Sequence, residues 1–369
     1  MLVACVSGMA MFTYGRIVYT DPQYRIWDLH DYRTMAEASP SLAQNVRQPF
    51  VFRILGPYLA GLMPFSTDTS FLILTLAIGL ALPLLFFLYL SESLVSPATA
   101  ALTTVFFILN KYLYGFSIWN YFQINDLLAL VDILLLMWAM SSQKWVIFGI
   151  LLFLGSLTKE VPLLMIPVAF VFALQSPNRA WLPVLVAVVP ALLAAGMTRL
   201  LVHSDQGNNL LDAFFTYNRK LLSGESWFRL LVNSFIPFSL VPLIFFKSTL
   251  KYFKARKHEL VFLVLVVFST LFGYNNERLM APAFMVFYPL LAVTIQGEFT
   301  SSKIGLSVIS FAAVLGVLHH TYTRYPLPRE WTILLSLFAL TAATAIFIFQ
   351  RFGLSKASLG RVGSGGMPA

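Results

Sequence analysis

Residues 71–90 have the sequence FLILTLAIGLALPLLFFLYL, an apolar run of twenty positions without a charged side chain. A helix needs about 20 such residues to cross the hydrocarbon core of a bilayer. The whole chain of 369 residues follows the same trend, with 58% hydrophobic and 11% charged residues and a mean hydropathy of +0.77. A soluble domain carries roughly 25% charged residues. The composition therefore excludes a soluble globular protein and predicts an all-α, polytopic membrane protein.

Further apolar runs bring the predicted number of membrane spans to about twelve. They cover residues 2–19, 97–116, 126–141, 145–157, 161–174, 181–202, 230–246, 260–273, 279–295, 304–318 and 331–349. The first run lacks a positively charged start and a small-residue cleavage site, so it predicts a retained span rather than a signal peptide. The pair 145–157 and 161–174 is either one long helix or two short helices that meet at Thr158-Lys159-Glu160.

The distribution of basic residues favours two short helices in that pair. With twelve crossings and both termini inside, the inside loops carry a clear excess of Lys and Arg over acidic residues. A single crossing over 145–174 would place the most basic loop, 247–257, outside, against the positive-inside rule. The predicted organisation is one transmembrane domain over residues 1–350. A cytoplasmic, basic and Gly-rich tail over 351–369 is expected to be disordered.

Two long segments, 20–70 and 203–229, form the predicted outside face. In the first, residues 31–38 and 50–63 mix apolar and polar positions, as interfacial amphipathic helices do. The single cysteine, Cys5, excludes a disulfide framework and a Cys-based zinc site. Nucleic-acid binding is also excluded, because the 25 Lys and Arg residues are spread between apolar runs rather than gathered on one face.

The densest polar cluster of the outside face is the sequence WDLHDYR over residues 27–33. In a helix, Asp28 and Asp31 lie three positions apart on one face. Two carboxylates above a membrane suit a general base, or the oxygen ligands of a divalent cation. The alternative is a solvated loop with an N-cap Asp before the helix that starts near Tyr32.

Cations and amides interrupt the apolar runs at further positions of the same face. Arg53 lies in an apolar segment between two prolines, where it either reaches the lipid interface or pairs with an anion. The motifs Asn125-Asp126, Lys159-Glu160 and Glu277-Arg278 open or break spans, and each alone is typical of a surface turn. The predicted topology puts all of them on the side of the WDLHDYR cluster. Since ionisable residues at membrane depth tend to mark function, together they indicate one site.

Two other polar features have simpler interpretations. Asp132, inside a span, is expected to pair with a neighbouring helix. His319-His320, after the eleventh span, suits a metal ligand or a general base, but no partner spacing supports a metal. The favoured interpretation is that the two histidines are polar residues at the membrane interface without a metal-binding or catalytic role.

The order of these motifs resembles bacterial membrane glycosyltransferases of the GT-C superfamily. The matching residues are Asp31-Tyr32 with Met35-Ala36, the pattern Pro-Phe-x-x-Arg-x-Leu-x-Pro over 49–57, Asn125-Asp126, Leu-Thr-Lys-Glu over 157–160 and Glu-Arg-Leu over 277–279. The resemblance does not include the last two predicted spans. The Asp-Glu or Asp-Asp pair of some members is replaced here by Asp28-Leu-His-Asp31.

The resemblance implies a mannosyltransferase-like enzyme of the bacterial cytoplasmic membrane that uses a polyprenyl-phosphate-linked sugar. It would transfer a hexose or pentose, with inversion, to a hydroxyl of a glycan, lipid or protein acceptor, at a site facing the periplasm or the outside. By position, Asp31 or Asp28 is the candidate base. The candidates for holding the donor phosphate are Arg53, Lys159 and Arg278. The residues expected to support the site are His30, Tyr32, Asn125, Asp126, Glu160 and Glu277. No metal ligand set is expected, although a divalent cation at the two aspartates stays open.

A transporter or lipid flippase is the main alternative, because discontinuous helices and an intramembrane carboxylate often line transport sites. The polar clusters gather on one face rather than at the midplane, and the two halves of the chain show no sequence symmetry. Both observations favour the enzyme. A non-catalytic assembly subunit that uses the polar cluster for docking is the third alternative.

Overall fold

The computed structural model of the chain describes residues 1–24, 27–43, 46–176, 181–202, 204, 210–218, 223–236, 238–273 and 275–299. The predicted spans 304–318 and 331–349, the pair His319-His320 and the tail 351–369 lie outside the described residues. Within the described ranges the secondary structure is helical and contains no strand. The expectation of an all-α fold is therefore confirmed for that part of the chain.

The helices follow one another with short connections. In the first half they are α1 Leu2–Tyr14, α2 Leu29–Ala38, α3 Leu55–Gly61, α4 Thr67–Ser93, α5 Pro97–Ile108, α6 Phe116–Trp119, α7 Ile124–Ser141 and α8 Trp145–Thr158. In the second half they are α9 Met165–Gln175, α10 Trp181–Leu201, α11 Leu210–Tyr217, α12 Gly224–Trp227, α13 Val241–Ile244, α14 Phe246–Ala255, α15 Lys257–Ser269, α16 Asn276–Leu279 and α17 Phe284–Thr294. Short 3-10 turns and π-helical turns join several of them.

Several helices have the length and composition of membrane spans. Among the described residues, α4, α7 and α10 pass this criterion with 27, 18 and 21 residues. The pair 97–108 and 111–119 passes it together, with a bend of 62° between its halves. Helix α7 is more buried than α4 or α10, so it lies at the centre of the bundle. Membrane association is thus supported, and the larger number of about twelve spans stays a prediction.

The predicted break within residues 145–174 is confirmed. Helix α8 ends at Thr158, and Lys159 adopts an extended backbone conformation with φ −165° and ψ 166°. A 3-10 turn over Val161–Leu164 then leads into α9. Pro162, in that turn, has no N–H to donate to a continuous helix. The break leaves Lys159 and Glu160 between two helix ends rather than on the side of a span.

The apolar run 230–246 differs from the expected single helix. The structure has a π-helical turn over Phe228–Val232, a 3-10 turn over Asn233–Phe235, and the one-turn helix α13 before α14 begins. Pro242, at the start of α13, lacks the N–H that a longer helix would use. Apolar character alone was a poor guide to helical continuity in this run.

The first outer segment is packed against the bundle. Leu29, Tyr32, Met35 and Ala36 of α2 are buried, at the spacing of one helix face. Helix α3 packs closely on α2, because a Cβ atom at Gly61 would overlap the carbonyl oxygen of Ala36. Two expected helices are thus present, but residues 50–63 divide into a 3-10 turn over Phe50–Phe52 and α3.

Candidate active site

A cavity of about 900 Å³ lies where α8 and α10 end and the first outer segment covers the bundle. Charged, aromatic and apolar side chains share its wall. The lining residues are Trp27, Asp28, Arg47, Gln48, Pro49, Phe50, Phe52, Arg53, Phe116, Lys159, Glu160, Arg199, Ala213, Tyr217, Phe272, Gly273, Asn275, Arg278 and Leu279. They come from stretches of chain up to 250 positions apart, as Asp28 and Arg278 illustrate.

Asp28 brings a buried carboxylate to this cavity. Its Oδ1 atom accepts a hydrogen bond from Gln123 Nε2, and its Oδ2 atom lies 3.4 Å from the Arg278 guanidinium. Asp28 stands at the N-cap position of α2, but its side chain makes no capping hydrogen bond. The alternative of a solvated loop before a helix near Tyr32 is wrong, because α2 begins at Leu29 and the buried Asp28 carboxylate turns toward Gln123 and Arg278.

Asp31 faces a different partner and does not line the cavity. The Arg47 backbone N–H donates to Asp31 Oδ1 at 3.0 Å, and Arg47 Nε and Nη2 donate to Asp31 Oδ2 at 2.9 and 2.6 Å. Arg47 Nη2 also donates to the carbonyl of Trp27. These bonds tie together two parts of the first outer segment. Asp31 therefore holds this segment in place.

Lys159, Asp126 and Arg278 form a buried charged network at the base of the cavity. Lys159 Nζ lies 2.6 Å from Asp126 Oδ1, and Arg278 Nε lies 3.2 Å from Asp126 Oδ2. Burial lowers the pKa of Lys159, and the adjacent Asp126 carboxylate opposes that shift. Arg278 also reaches Asp28, so the network connects α7 and the break after α8 with the candidate base.

Arg53 is buried and paired, which excludes the interpretation that it extends to the lipid interface. Its guanidinium donates to Glu160 Oε2 at 3.0 and 3.2 Å and to the Tyr32 hydroxyl at 3.1 Å. Burial alone lowers the pKa of Arg53, but Glu160 and Tyr32 raise it by a larger amount, so the guanidinium stays charged. Burial also raises the pKa of Tyr32, which keeps its hydroxyl protonated.

Asn125 positions the turn that carries Arg53. Its Nδ2 atom donates to the Arg53 carbonyl at 3.0 Å, and its Oδ1 atom accepts from the Gly56 N–H at 3.1 Å. A Cβ atom at residue 56 would overlap Asn125 Oδ1. The site therefore needs glycine at this place, because α3 and the start of α7 approach closely.

Of the six predicted supporting residues, Glu160 lines the cavity, and Tyr32, Asn125 and Asp126 contact Arg53 or Lys159 of its wall. Glu277 and His30 make neither kind of contact. Glu277 is buried and accepts hydrogen bonds from Arg229 at 2.7 and 2.8 Å and from Asn233 at 3.0 Å. It fixes the segment before Arg278 to the turns over residues 228–235. His30 lies on α2 and does not line the cavity, and its Nε2 atom has no hydrogen-bond partner among the described residues.

Arg199, which the sequence did not single out, is a further cation of the cavity. Its Nη1 atom donates to the Ala195 carbonyl of its own helix, and its guanidinium lies 5.2 Å from the centre of the Phe52 ring. The other four lining cations, Arg47, Arg53, Lys159 and Arg278, each contact a carboxylate. Within the described ranges no carboxylate lies at ion-pair distance from Arg199. The wall therefore presents one positive charge that an anionic ligand can neutralise.

A shared divalent cation at Asp28 and Asp31 would have to displace a guanidinium from one of them. In the part of the chain that the structure describes, no group of three or more His, Cys, Asp and Glu side chains is placed to hold a metal.

Comparison with protein-family models, with curated proteins and with solved structures found no match to this chain. What the cavity can do therefore follows from its side chains. It combines a buried carboxylate, fixed positive charge and aromatic side chains such as Trp27 and Phe116 in one space. These groups suit a ligand that is anionic at one end and hydroxylated at the other.

Proposed function

We propose that the chain is a membrane glycosyltransferase that moves a sugar from a polyprenyl-phosphate donor to a hydroxyl acceptor. The observation that carries the proposal is the placement of Asp28 in the same cavity as Arg53, Lys159, Arg199 and Arg278. Sugar transfer from a lipid phosphate needs a base for the acceptor and fixed cations for the leaving phosphate. Asp28 can serve as the base, the arginines and Lys159 supply the fixed cations, and all of them line one cavity.

The proposed reaction assigns one role to each group. Asp28 takes the proton of the acceptor hydroxyl, whose oxygen forms a bond to the anomeric carbon of the donor sugar. The bond between that carbon and the phosphate oxygen breaks, and its electron pair leaves on the polyprenyl phosphate. Arg199 and Arg278 stabilise the added negative charge. Attack opposite to the leaving phosphate inverts the configuration at the anomeric carbon.

Asp31 has a positioning role in this proposal rather than the role of the base. Its carboxylate is held by Arg47, and it does not line the cavity. The Lys159–Asp126 and Arg53–Glu160 pairs fix two more cations at the cavity wall before a donor binds. Fixed charges of this kind need no reorganisation when charge develops in the transition state.

The lipid part of the donor accounts for the apolar surface beside Arg199. Met197, Leu200 and Leu201 of α10 are exposed next to this guanidinium. An arginine at the outer end of an apolar helix can hold a phosphate while the attached chain stays in the bilayer. The proposed location is a bacterial cytoplasmic membrane, with about twelve spans, inside termini and the cavity on the extracytoplasmic side.

One observation favours transport as the second candidate function. The helix pair over 97–119 is bent by 62°, and discontinuous helices often line transport sites. The cavity, however, lies where α8 and α10 end, which suits an enzyme that meets its substrates at the membrane surface. A transporter would release its sugar lipid unchanged.

The test is donor consumption by the purified chain in lipid nanodiscs. Polyprenyl-phosphate sugars are supplied singly, with a cell-envelope extract as the source of acceptor, and released polyprenyl phosphate is measured. We expect release from at least one donor, and a loss of about 10²–10⁴-fold on Asp28→Asn. Release that is equal for wild type and Asp28→Asn would overturn the assignment of the base. Movement of intact donor between leaflets without release would support the transporter.

A further inference from the structure

Helix α14 lies at the end of the bundle opposite the cavity. Helix α15 begins at Lys257, directly after α14, and its 13 residues extend for about 20 Å. The turn that follows α15 contributes Phe272 to the cavity wall. Helix α14 and the cavity therefore lie at opposite ends of α15. They are thus near opposite faces of a membrane that the bundle crosses.

The orientation of α14 is fixed by buried contacts on one side. Thr249 and Tyr252 are buried, and the Tyr252 hydroxyl donates to the Glu259 carboxylate. Arg256 Nη1 lies 2.8 Å from Glu259 Oε1, which joins the end of α14 to the start of α15. The remaining faces of α14 therefore point in defined directions.

Three lysines occupy one of these outer faces. Lys247, Lys251 and Lys254 follow at spacings of four and three residues, so they lie along one side of the helix, and all three are exposed. Lys257, the first residue of α15, is also exposed. Like charges at this spacing repel one another. Among the described residues, none of the four has a carboxylate at ion-pair distance, and the neighbouring Glu298 instead accepts from Ser248.

Exposed apolar side chains lie beside the lysine row. Leu243, Phe246 and Leu250 are 68%, 54% and 42% exposed. Phe246 and Leu250 stand one turn apart, on a face between the lysines and the buried contacts. A basic face next to an apolar face is the arrangement of helices that lie in the plane of a membrane interface.

We infer that α14 is a binding surface for phospholipids with anionic headgroups, at the membrane face opposite the cavity. The lysines contact the headgroups, and Leu243, Phe246 and Leu250 contact the acyl chains. Charge complementarity selects the anionic headgroup, because the surface holds positive charges that the described part of the chain leaves without a counter-ion. The exposed apolar row selects a lipid over a soluble anion. This inference does not depend on the proposed transferase activity.

The experiment measures lipid binding to the full chain in a neutral detergent. The purified protein is titrated with phosphatidylglycerol and with phosphatidylcholine, and bound lipid is counted by native mass spectrometry. We expect phosphatidylglycerol to bind the wild type at least tenfold more tightly. Each Lys→Gln change in α14 should weaken that binding by about fivefold, which corresponds to the contribution of one basic residue near an anionic surface.

The matched control is Lys144→Gln, since Lys144 is exposed just before α8 and outside the lysine row. The Lys144→Gln variant should change phosphatidylglycerol binding by less than twofold. A triple variant that keeps the positive charges should retain the binding of wild type; its changes are Lys247→Arg, Lys251→Arg and Lys254→Arg. Glycerol phosphate, which has the headgroup charge but no acyl chains, should not compete. Equal binding of the two lipids to the wild type would overturn the inference. Unchanged binding in a variant that combines Lys247→Gln, Lys251→Gln and Lys254→Gln would overturn it as well. Circular dichroism of each variant shows whether it has folded.

Discussion

Asp126→Asn removes a buried carboxylate from the charged network while leaving the shape of the side chain unchanged. Asp126 Oδ1 lies 2.6 Å from Lys159 Nζ, and the two side chains are only 7% and 8% exposed. Its other oxygen lies 3.2 Å from Arg278. Removing one partner from a buried ion pair costs about 3–5 kcal/mol, because the remaining charge is left without compensation. With both groups this deeply buried, solvent screening gives little relief.

The free energy of unfolding can be compared through the thermal midpoint in detergent, followed by tryptophan fluorescence. A loss of 3 kcal/mol lowers the midpoint by about 4 °C in a chain of this size, because the entropy of unfolding is about 2.1 cal/mol/K per residue. Asp132→Asn is the matched control. Asp132 is on the same helix and is 8% exposed, but in the described part of the chain it has no Lys or Arg at ion-pair distance. The control should therefore shift the midpoint by much less.

A double variant separates the charge from the fold. Asp126→Leu with Lys159→Met removes both buried charges, so it should recover most of the stability that Asp126→Asn loses. It should still lose transfer activity, because a cation of the cavity is gone. The reasoning is refuted if Asp126→Asn destabilises the chain no more than Asp132→Asn. It is also refuted if the double variant is less stable than Asp126→Asn.

Three further predictions concern the same cavity. Arg199→Gln should raise the KM for a polyprenyl-phosphate donor by at least tenfold in steady-state kinetics, with kcat changed less, because it removes the positive charge that has no carboxylate partner among the described residues; an unchanged KM would contradict this role. Gly56→Ala should destabilise the chain by about 1–3 kcal/mol in thermal unfolding, since the new Cβ overlaps Asn125 Oδ1. A stability equal to that of wild type would show that α3 and α7 can move apart freely. Treatment with EDTA should leave donor consumption within twofold of the untreated protein, because Asp28 and Asp31 already contact guanidinium groups. Loss of activity, with recovery when a divalent cation is added, would show a metal site instead.

The sequence was most informative where a polar residue interrupts an apolar run. Lys159 and Glu160 had to lie near the end of a helix, because two charged side chains in the middle of a span are costly. The order of the motifs also predicted that Asp28, Arg53 and Arg278 belong to one site, and all three line the cavity. Helices in the first outer segment followed from the spacing of its apolar residues.

The choice of partner for each charge could not be predicted. Asp28 and Asp31 are equivalent by type and spacing, and only the folded loop shows that Arg47, sixteen residues further on, takes Asp31. The sequence does not single out Arg199, because a lone cation at the end of an apolar run is typical of an interface residue. Its relation to the cavity depends on where α10 ends against Phe52, which is a tertiary contact.

The most direct measurement compares the rates of polyprenyl phosphate release by Asp28→Asn and Asp31→Asn in nanodiscs. Both variants should insert, and their folding is checked by the thermal midpoint. The account predicts a loss of about 10²–10⁴-fold for Asp28→Asn, because a base has been removed from the reacting atoms. Asp31→Asn should retain far more activity and lose stability instead, since it weakens the pairing with Arg47. The opposite order, with Asp31→Asn folded but inactive and Asp28→Asn active, would contradict the assignment of Asp28 as the base.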